Sequence, residues 1–178
     1  MSRRDPHVPV IDRAPEPTGT NRNHRMVTLY HQIWIDAPAT AVYDALATAK
    51  GLGRWWAPHT STGTGDGLVL AHSPGPAHGD VRMKVLECVP ARRVAWEIVS
   101  RHPARSPASA WAGTRIAFDL DERPSPGQWL GLDDEGKAMT VLDFRHAGWD
   151  PDSEFIGFCN TAWGVTLDML RKHCEPSR

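Results

Sequence analysis

The residues best equipped for chemistry in this chain are its aromatic rings and its histidines. Eight tryptophans among 178 residues are more than an ordinary core of this size needs. Trp55, Trp56, Met83, Trp96, Phe118, Leu142, Phe144, Phe158 and Ala162 together are the candidate lining of an apolar ligand pocket. Such pockets have mostly hydrophobic walls and few polar groups. The same rings, with Trp149 and Trp163, can instead fill the gaps of a curved sheet, each indole N–H satisfied locally. Small side chains at Ala162 and Thr166 favour leaving a space.

Six histidines stand out, His31, His59, His72, His78, His102 and His146, with no HxxxH or HExxH pair that would bind zinc. His146 follows Thr140, Leu142 and Phe144 in phase on one strand and is the one candidate general base. That role needs a carboxylate within hydrogen-bond reach to orient the ring. Asp143 points to the other face of an alternating strand, which leaves Glu97; a plain strand end is the simpler role, and the balance leans away from an enzyme. Thr62–Gly67 (TGTGDG) looks like a phosphate loop, but it leads into strand residues and has no P-loop lysine. A glycine-rich hairpin accounts for it better. Three cysteines without CxxC spacing support neither a disulfide framework nor a zinc ribbon, so no metal and no cofactor is expected.

The formal net charge of −1 gives no general field for nucleic acid or an acidic membrane. The basic pairs at Arg3/Arg4, Arg22/Arg25 and Arg92/Arg93 do not alternate with aromatics, so no nucleic-acid partner is expected. The N-terminus lacks the apolar run of a signal peptide. No stretch approaches the ~18 apolar residues of a spanning helix. A cytoplasmic protein without membrane insertion is the expectation.

The elements that must position these residues can be read in order. Residues 1–25 hold prolines and arginines without periodicity, the composition of a disordered tail, which leaves 26–175 as a single domain. Met26–Asp36 reads as a strand. Ala39–Thr48 reads as a short helix with Val42 and Leu46 inward and Pro38 at its first position. Arg54–Trp56 closes a second short helical turn. Alternation then marks strands around Leu68–Leu70, Val81–Val85, Val94–Ile98, Thr114–Leu120 and Thr140–Phe144, separated by Gly- and Pro-rich turns.

The last stretch, Pro151–His173, is a long amphipathic helix. At about 100° per residue, Phe155, Cys159, Ala162, Thr166 and Leu170 run down the centre of its apolar face. Phe158, Val165 and Met169 flank that line on one side, and Ile156, Trp163 and Leu167 on the other. Strands joined by short turns are antiparallel, and one sheet face must cover this helix. The fold class is therefore α+β, a curved antiparallel sheet wrapped around a long C-terminal helix, with two short helices after the first strand. The place where such a sheet fails to close is a natural cavity.

Ile35-Asp36-Ala37-Pro38, then Val42-Tyr43-Asp44-Ala45-Leu46 and Gly53-Arg54-Trp55-Trp56, resemble the opening of the START-like (Bet v 1-like, SRPBCC) superfamily. Within it the chain is most similar to the group named for the activator of Hsp90 ATPase. Val85–Pro90 with Arg93–Trp96, then Thr140–Trp149, and Trp163 with Leu167 and Leu170 follow in the matching order. The resemblance covers about Val27 to His173 and implies a helix-grip fold with a cavity between sheet and helix. The superfamily holds lipid carriers, hormone receptors, polyketide cyclases and co-chaperone domains, so fold alone does not choose among them. The expected function is binding of a small apolar or amphipathic ligand in that cavity. The alternatives are a cyclase- or hydratase-like enzyme using the same cavity, and a protein–protein module with a chaperone partner or a second copy of itself.

Overall fold

The computed structural model describes residues 25–131 and 136–176. The expected N-terminal tail lies, apart from Arg25, outside the described residues. Seven strands form one antiparallel sheet: β1 (Val27–Ile35), β2 (Thr60–Thr62), β3 (Val69–His72), β4 (Val81–Val89), β5 (Arg93–Ile98), β6 (Arg115–Pro124) and β7 (Ala138–Trp149). Their spatial order is β1-β7-β6-β5-β4-β3-β2. From β2 to β7 each strand pairs with its sequence neighbour, as short connections require. Only β1 departs, pairing with β7 at the far edge. The TGTGDG stretch is the turn of the β2–β3 hairpin, so its glycines serve backbone geometry.

The two short helices are α1 (Ala39–Leu46) and α2 (Ala49–Leu52). Pro38 is the N-cap of α1 rather than its first helical residue. Having no side chain to cap with, it leaves the free Ala39 N–H to the Glu122 carboxylate of β6, 2.8 Å away. A negative group there also suits the helix dipole. Thr48 caps α2 by accepting from the Gly51 N–H at 2.9 Å. Gly51 lets the two helices touch, because a Cβ at this position would lie 2.2 Å from the Asp44 carbonyl oxygen. The tryptophan pair lies in the turn that closes α2, with the Trp55 and Trp56 N–H groups both donating to the Leu52 carbonyl.

The long helix, α3, spans Ile156–Cys174; residues 151–155 form turns that lead into it. Its buried residues are Cys159, Trp163, Leu167 and Leu170. Phe158, Val165 and Met169, expected on the flank of the buried face, are exposed at 62%, 61% and 41%. The helix is thus turned so that Trp163 faces the sheet. Three contacts fix this rotation. Trp163 bonds to His146 of β7, Asn160 bonds to His31 of β1 at 2.9 Å, and Gly164 lies against the His31 ring. Periodicity cannot resolve a rotation of this size when both flanks are apolar.

The core between sheet and α3 holds Ile35, Val42, Leu46, Met83, Val94, Trp96, Ile116, Phe118, Leu142, Phe144 and Trp149, all fully buried. Burying a side chain of this size contributes about 1.5–3 kcal/mol. His146 and Trp149 both point inward although three residues apart. A bulge opposite Val27/Thr28, with Gly148 at φ 93°, shifts the phase of the strand between them. A side chain at that φ would be strained.

Candidate functional site

An apolar cavity of about 260 Å³ lies between α3, the inner ends of β3 and β4, and a 3-10 turn over Pro107–Trp111. Phe158, Cys159, Ala162, Trp163 and Thr166 of α3 form one wall. Ala108 and Trp111 of the 3-10 turn, with Ser106 and Pro107, form the second. Trp56, His72 and Val81, with Pro74 and His78 of the β3–β4 connection, close the third.

Each wall is held by identifiable bonds. Trp55 turns into the core and donates to the Ala45 carbonyl at 2.9 Å. Its neighbour Trp56 stacks on it at 5.9 Å and also lies against Trp163 (5.4 Å between ring centroids) and His72 (4.7 Å). Trp111 stacks on Trp163 at 5.6 Å and 18°, and donates its indole N–H to the Cys159 sulfur at 3.4 Å. Ser106 caps the 3-10 turn by accepting from the Ala108 N–H, with Pro107 in its first turn. The Ser106 hydroxyl also bonds to His78 Nδ1 at 2.9 Å, tying the β3–β4 connection to this turn. His102 adds a second tie, from Nδ1 to the His78 carbonyl at 2.8 Å.

Of the candidate lining residues, Trp56, Phe158 and Ala162 are brought together on the cavity. Trp55, Met83, Trp96, Phe118, Leu142 and Phe144 lie in the packed core and are not among its lining. The difference follows from the rotation of α3 and from the inner-face rings packing on one another, Trp96 against Phe118, Phe118 against Phe144 and Phe144 against Trp163. Trp111, His72, His78 and Ser106 line the cavity without having been singled out as lining. Trp111 had a usable signal: Ser106-Pro107 is a helix-start pair within a segment that reads as loop. His72 had one too, since it continues the inward alternation of Leu70.

His146 sits behind the Trp111 and Trp163 rings, with ring-centroid distances of 5.2 Å and 5.9 Å, and has no exposed surface. Its hydrogen bonds determine its tautomer. An indole N–H can only donate, and Trp163 Nε1 points at His146 Nδ1 from 3.0 Å, so Nδ1 carries the lone pair. The proton is therefore on Nε2 and goes to Thr114 Oγ1 at 2.7 Å. Thr114 in turn donates to the Trp111 carbonyl at 2.6 Å. Burial pushes the pKa of His146 down to about 3, so the ring is neutral and its basic nitrogen is occupied. Neither carboxylate considered as its partner reaches it. Asp143 is bonded to Tyr30 and Gln32 on the outer face, and Glu97 pairs with Arg115 at 3.6 Å. The arrangement suits a structural hydrogen-bond relay that fixes Trp163 and Trp111, the two rings of the cavity wall.

His72 differs from this. It is 7% exposed, its Nδ1 is buried and has no hydrogen-bond partner, and burial pushes its pKa down to about 4. Among the described residues, no group of three or more His, Cys, Asp or Glu side chains is placed to hold a metal ion. Nor is any helix there long and apolar enough to cross a membrane.

A curved seven-stranded antiparallel sheet gripping a long C-terminal helix, with two short helices after β1, defines a START-like (Bet v 1-like, SRPBCC) helix-grip protein. The chain belongs to the family described as polyketide cyclase / dehydrase and lipid transport, whose model matches residues 26–132. Among solved structures, it is similar to the Aha1 dimer from Colwellia psychrerythraea, solved in solution. Identity is 29%, the match covers 84% of this chain and 97% of that one, and the TM-score is 0.60. A Mesorhizobium loti protein, MLL2253, is 18% identical over 83% of this chain and 96% of its own, with a TM-score of 0.61. CalU16 from Micromonospora echinospora is 18% identical over 85% and 78%, with a TM-score of 0.59. These last two establish likeness of fold only. No curated protein matches the chain.

Proposed function

We propose that residues 26–175 form a single domain that binds a small apolar or amphipathic molecule in the cavity between sheet and α3. The observation that carries this reading is the cavity itself, mostly apolar with a few polar groups at His72, His78 and Ser106, and kept open by Ala162 and Thr166 where larger side chains would fill it. An engineered apolar cavity of about 150 Å³ takes up benzene, so about 260 Å³ has room for a fused pair of rings or a short branched chain. Membership in a family of polyketide cyclases, dehydrases and lipid transporters agrees with such an occupant. Enzymatic use of the cavity would need a base other than His146, whose lone pair is taken by Trp163.

Titration of a panel of fatty alcohols, sterols and aromatic polyketides, followed by tryptophan fluorescence, tests the proposal. Trp56, Trp111 and Trp163 line the site, so a ligand is expected to give saturable quenching or a blue shift. Ala162→Trp is expected to abolish the response while leaving the melting temperature within a few degrees. Absence of a saturable response across the panel would overturn it.

A second reading has an observation of its own. Phe158, Val165 and Met169 form an exposed apolar stripe along α3, a feature that suits a contact between proteins. The similar Colwellia protein is described as a dimer. Sedimentation equilibrium of the wild type and of Val165→Asp distinguishes a dimer built on this stripe from a monomer.

A further inference from the structure

The exposed apolar stripe of α3 borders the mouth of the cavity. Phe158 lines the cavity and is 62% exposed, and Pro74 lines it from the β3–β4 connection and is also exposed, so the cavity opens to solvent between them. Ala162, another lining residue, neighbours Val165 one turn further along the helix. Cys159, Trp163, Leu167 and Leu170 already supply the face that the sheet covers. Phe158, Ala162, Val165, Met169 and Lys172, recurring at spacings of four and three residues, form a second seam of the kind that packs against another helix.

This seam is complementary to itself when two copies run antiparallel about a two-fold axis between Ala162 and Val165. Phe158 then meets Met169 of the second copy, a favourable sulfur–ring pair, and Val165 fills the hole over Ala162. Charge selects the same direction. Asp150 and Glu154 are exposed just before α3, and Lys172 and His173 are exposed at its end, Lys172 with 68% of its side chain accessible despite its bond to Asp168. Antiparallel docking sets acid opposite base, whereas parallel docking sets like against like. A stable interface buries about 800 Å² per partner. Three partly exposed side chains fall short of that, so the stripe alone holds two copies weakly, and the cavity mouth beside it must supply the rest.

We propose that a second copy of this chain docks antiparallel along the Phe158–Met169 stripe and closes the cavity mouth, so that filling the cavity and dimerisation promote each other. This rests on the readings of the cavity as a ligand site and of the stripe as a contact between proteins, and adds the coupling between them. In the monomer an occupant keeps one side in water at the mouth. In the dimer the second copy covers that side and removes its apolar surface from water. By linkage the effect is reciprocal, since a ligand held better by the dimer tightens the dimer.

The test uses the full chain and N-phenyl-1-naphthylamine, a neutral apolar probe, followed by its fluorescence and by sedimentation equilibrium with and without it. Saturating probe is expected to tighten dimerisation about tenfold, within the usual range of coupling between sites. Each site then binds the probe about threefold more tightly in the dimer, because a dimer carries two sites. Val165→Asp changes an exposed residue outside the cavity lining. It is expected to stay monomeric and to bind the probe with the monomer's affinity at every protein concentration. Glu154→Lys is expected to weaken dimerisation about threefold, as two exposed ion pairs allow. A wild type that binds the probe but stays monomeric, or whose dimerisation ignores the probe, would overturn the coupling and leave the ligand site intact. A Val165→Asp that dimerises like the wild type would overturn the docking surface, and an unchanged Glu154→Lys dimer the antiparallel arrangement. Failure of the probe to bind the wild type at any concentration would instead remove the ligand site itself.

Discussion

Mild acid should destabilise this protein earlier and more steeply than its carboxylates alone would. His146 and His72 carry pKa values lowered by burial from the ordinary 6.5 to about 3 and about 4. In the unfolded chain both titrate near 6.5, so below that pH the unfolded state binds protons that the folded state refuses. Stability then rises with pH across this range. The contribution of each neutral histidine is complete above about pH 6.5. It falls by roughly 1.4 kcal/mol per pH unit below that, until the folded-state pKa is reached. Over the 1.5 units from 6.5 to 5, each residue therefore removes about 2 kcal/mol and the pair about 4 kcal/mol. His59, lowered in the same sense by burial, adds to the effect. Asp168, held low by hydrogen bonds from Lys172 and Arg171, titrates below this window. Against a typical total of about 5–15 kcal/mol, the loss is readily measured by urea unfolding at pH 7 and pH 5, followed by tryptophan fluorescence. His146→Gln offers an amide that can accept from Trp163 and donate to Thr114 without titrating. Its loss between the two pH values should be about 2 kcal/mol smaller than that of the wild type. A wild type equally stable at both pH values, or a variant with an undiminished pH dependence, would refute the assignment of His146 as a buried neutral relay.

Two further outcomes follow from particular contacts. Thr114→Val keeps the shape of the side chain but strands the His146 Nε2–H, while the Trp111 carbonyl keeps its bond from the Thr114 N–H, and should cost about 1–3 kcal/mol by chemical denaturation. Gly51→Ala places a methyl group against backbone that cannot retreat, 2.2 Å from the Asp44 carbonyl oxygen. It should lower stability by about 1–3 kcal/mol, seen as a lower melting temperature with the β-sheet signature in circular dichroism retained.

The fold was largely legible because alternation in β4 and β6 is clean and the large apolar residues of β5 alternate as well. Val81, Met83 and Val85, or Val94, Trp96 and Ile98, can be buried together in only one register. The cavity was less legible, for two physical reasons. The apolar arc of α3 is wider than the face the sheet covers. Its final rotation was therefore decided by long-range bonds from Trp163 to His146 and from Asn160 to His31, which no periodicity contains. Strand alternation assigned Met83, Trp96, Phe118 and Phe144 to the inner face, yet it cannot tell a residue that lines a space from one that fills it. His72 and Trp111 come from segments that read as turn and loop, where the relevant signals, one inward alternation and one Ser-Pro cap, are a few residues long. His146 was recognisable as inward-facing, but its partners, Thr114 and Trp163, lie 32 and 17 residues away in sequence.

The most direct test of the central claim is native mass spectrometry of the protein recovered from cells, with denaturing extraction of whatever it carries. The account predicts a small apolar or amphipathic molecule at one copy per chain, present in the wild type and absent from Ala162→Trp, whose indole occupies the same space. A wild-type mass that equals the bare chain, with an equally bare Ala162→Trp and no small molecule bound on addition of the ligand panel, would contradict it.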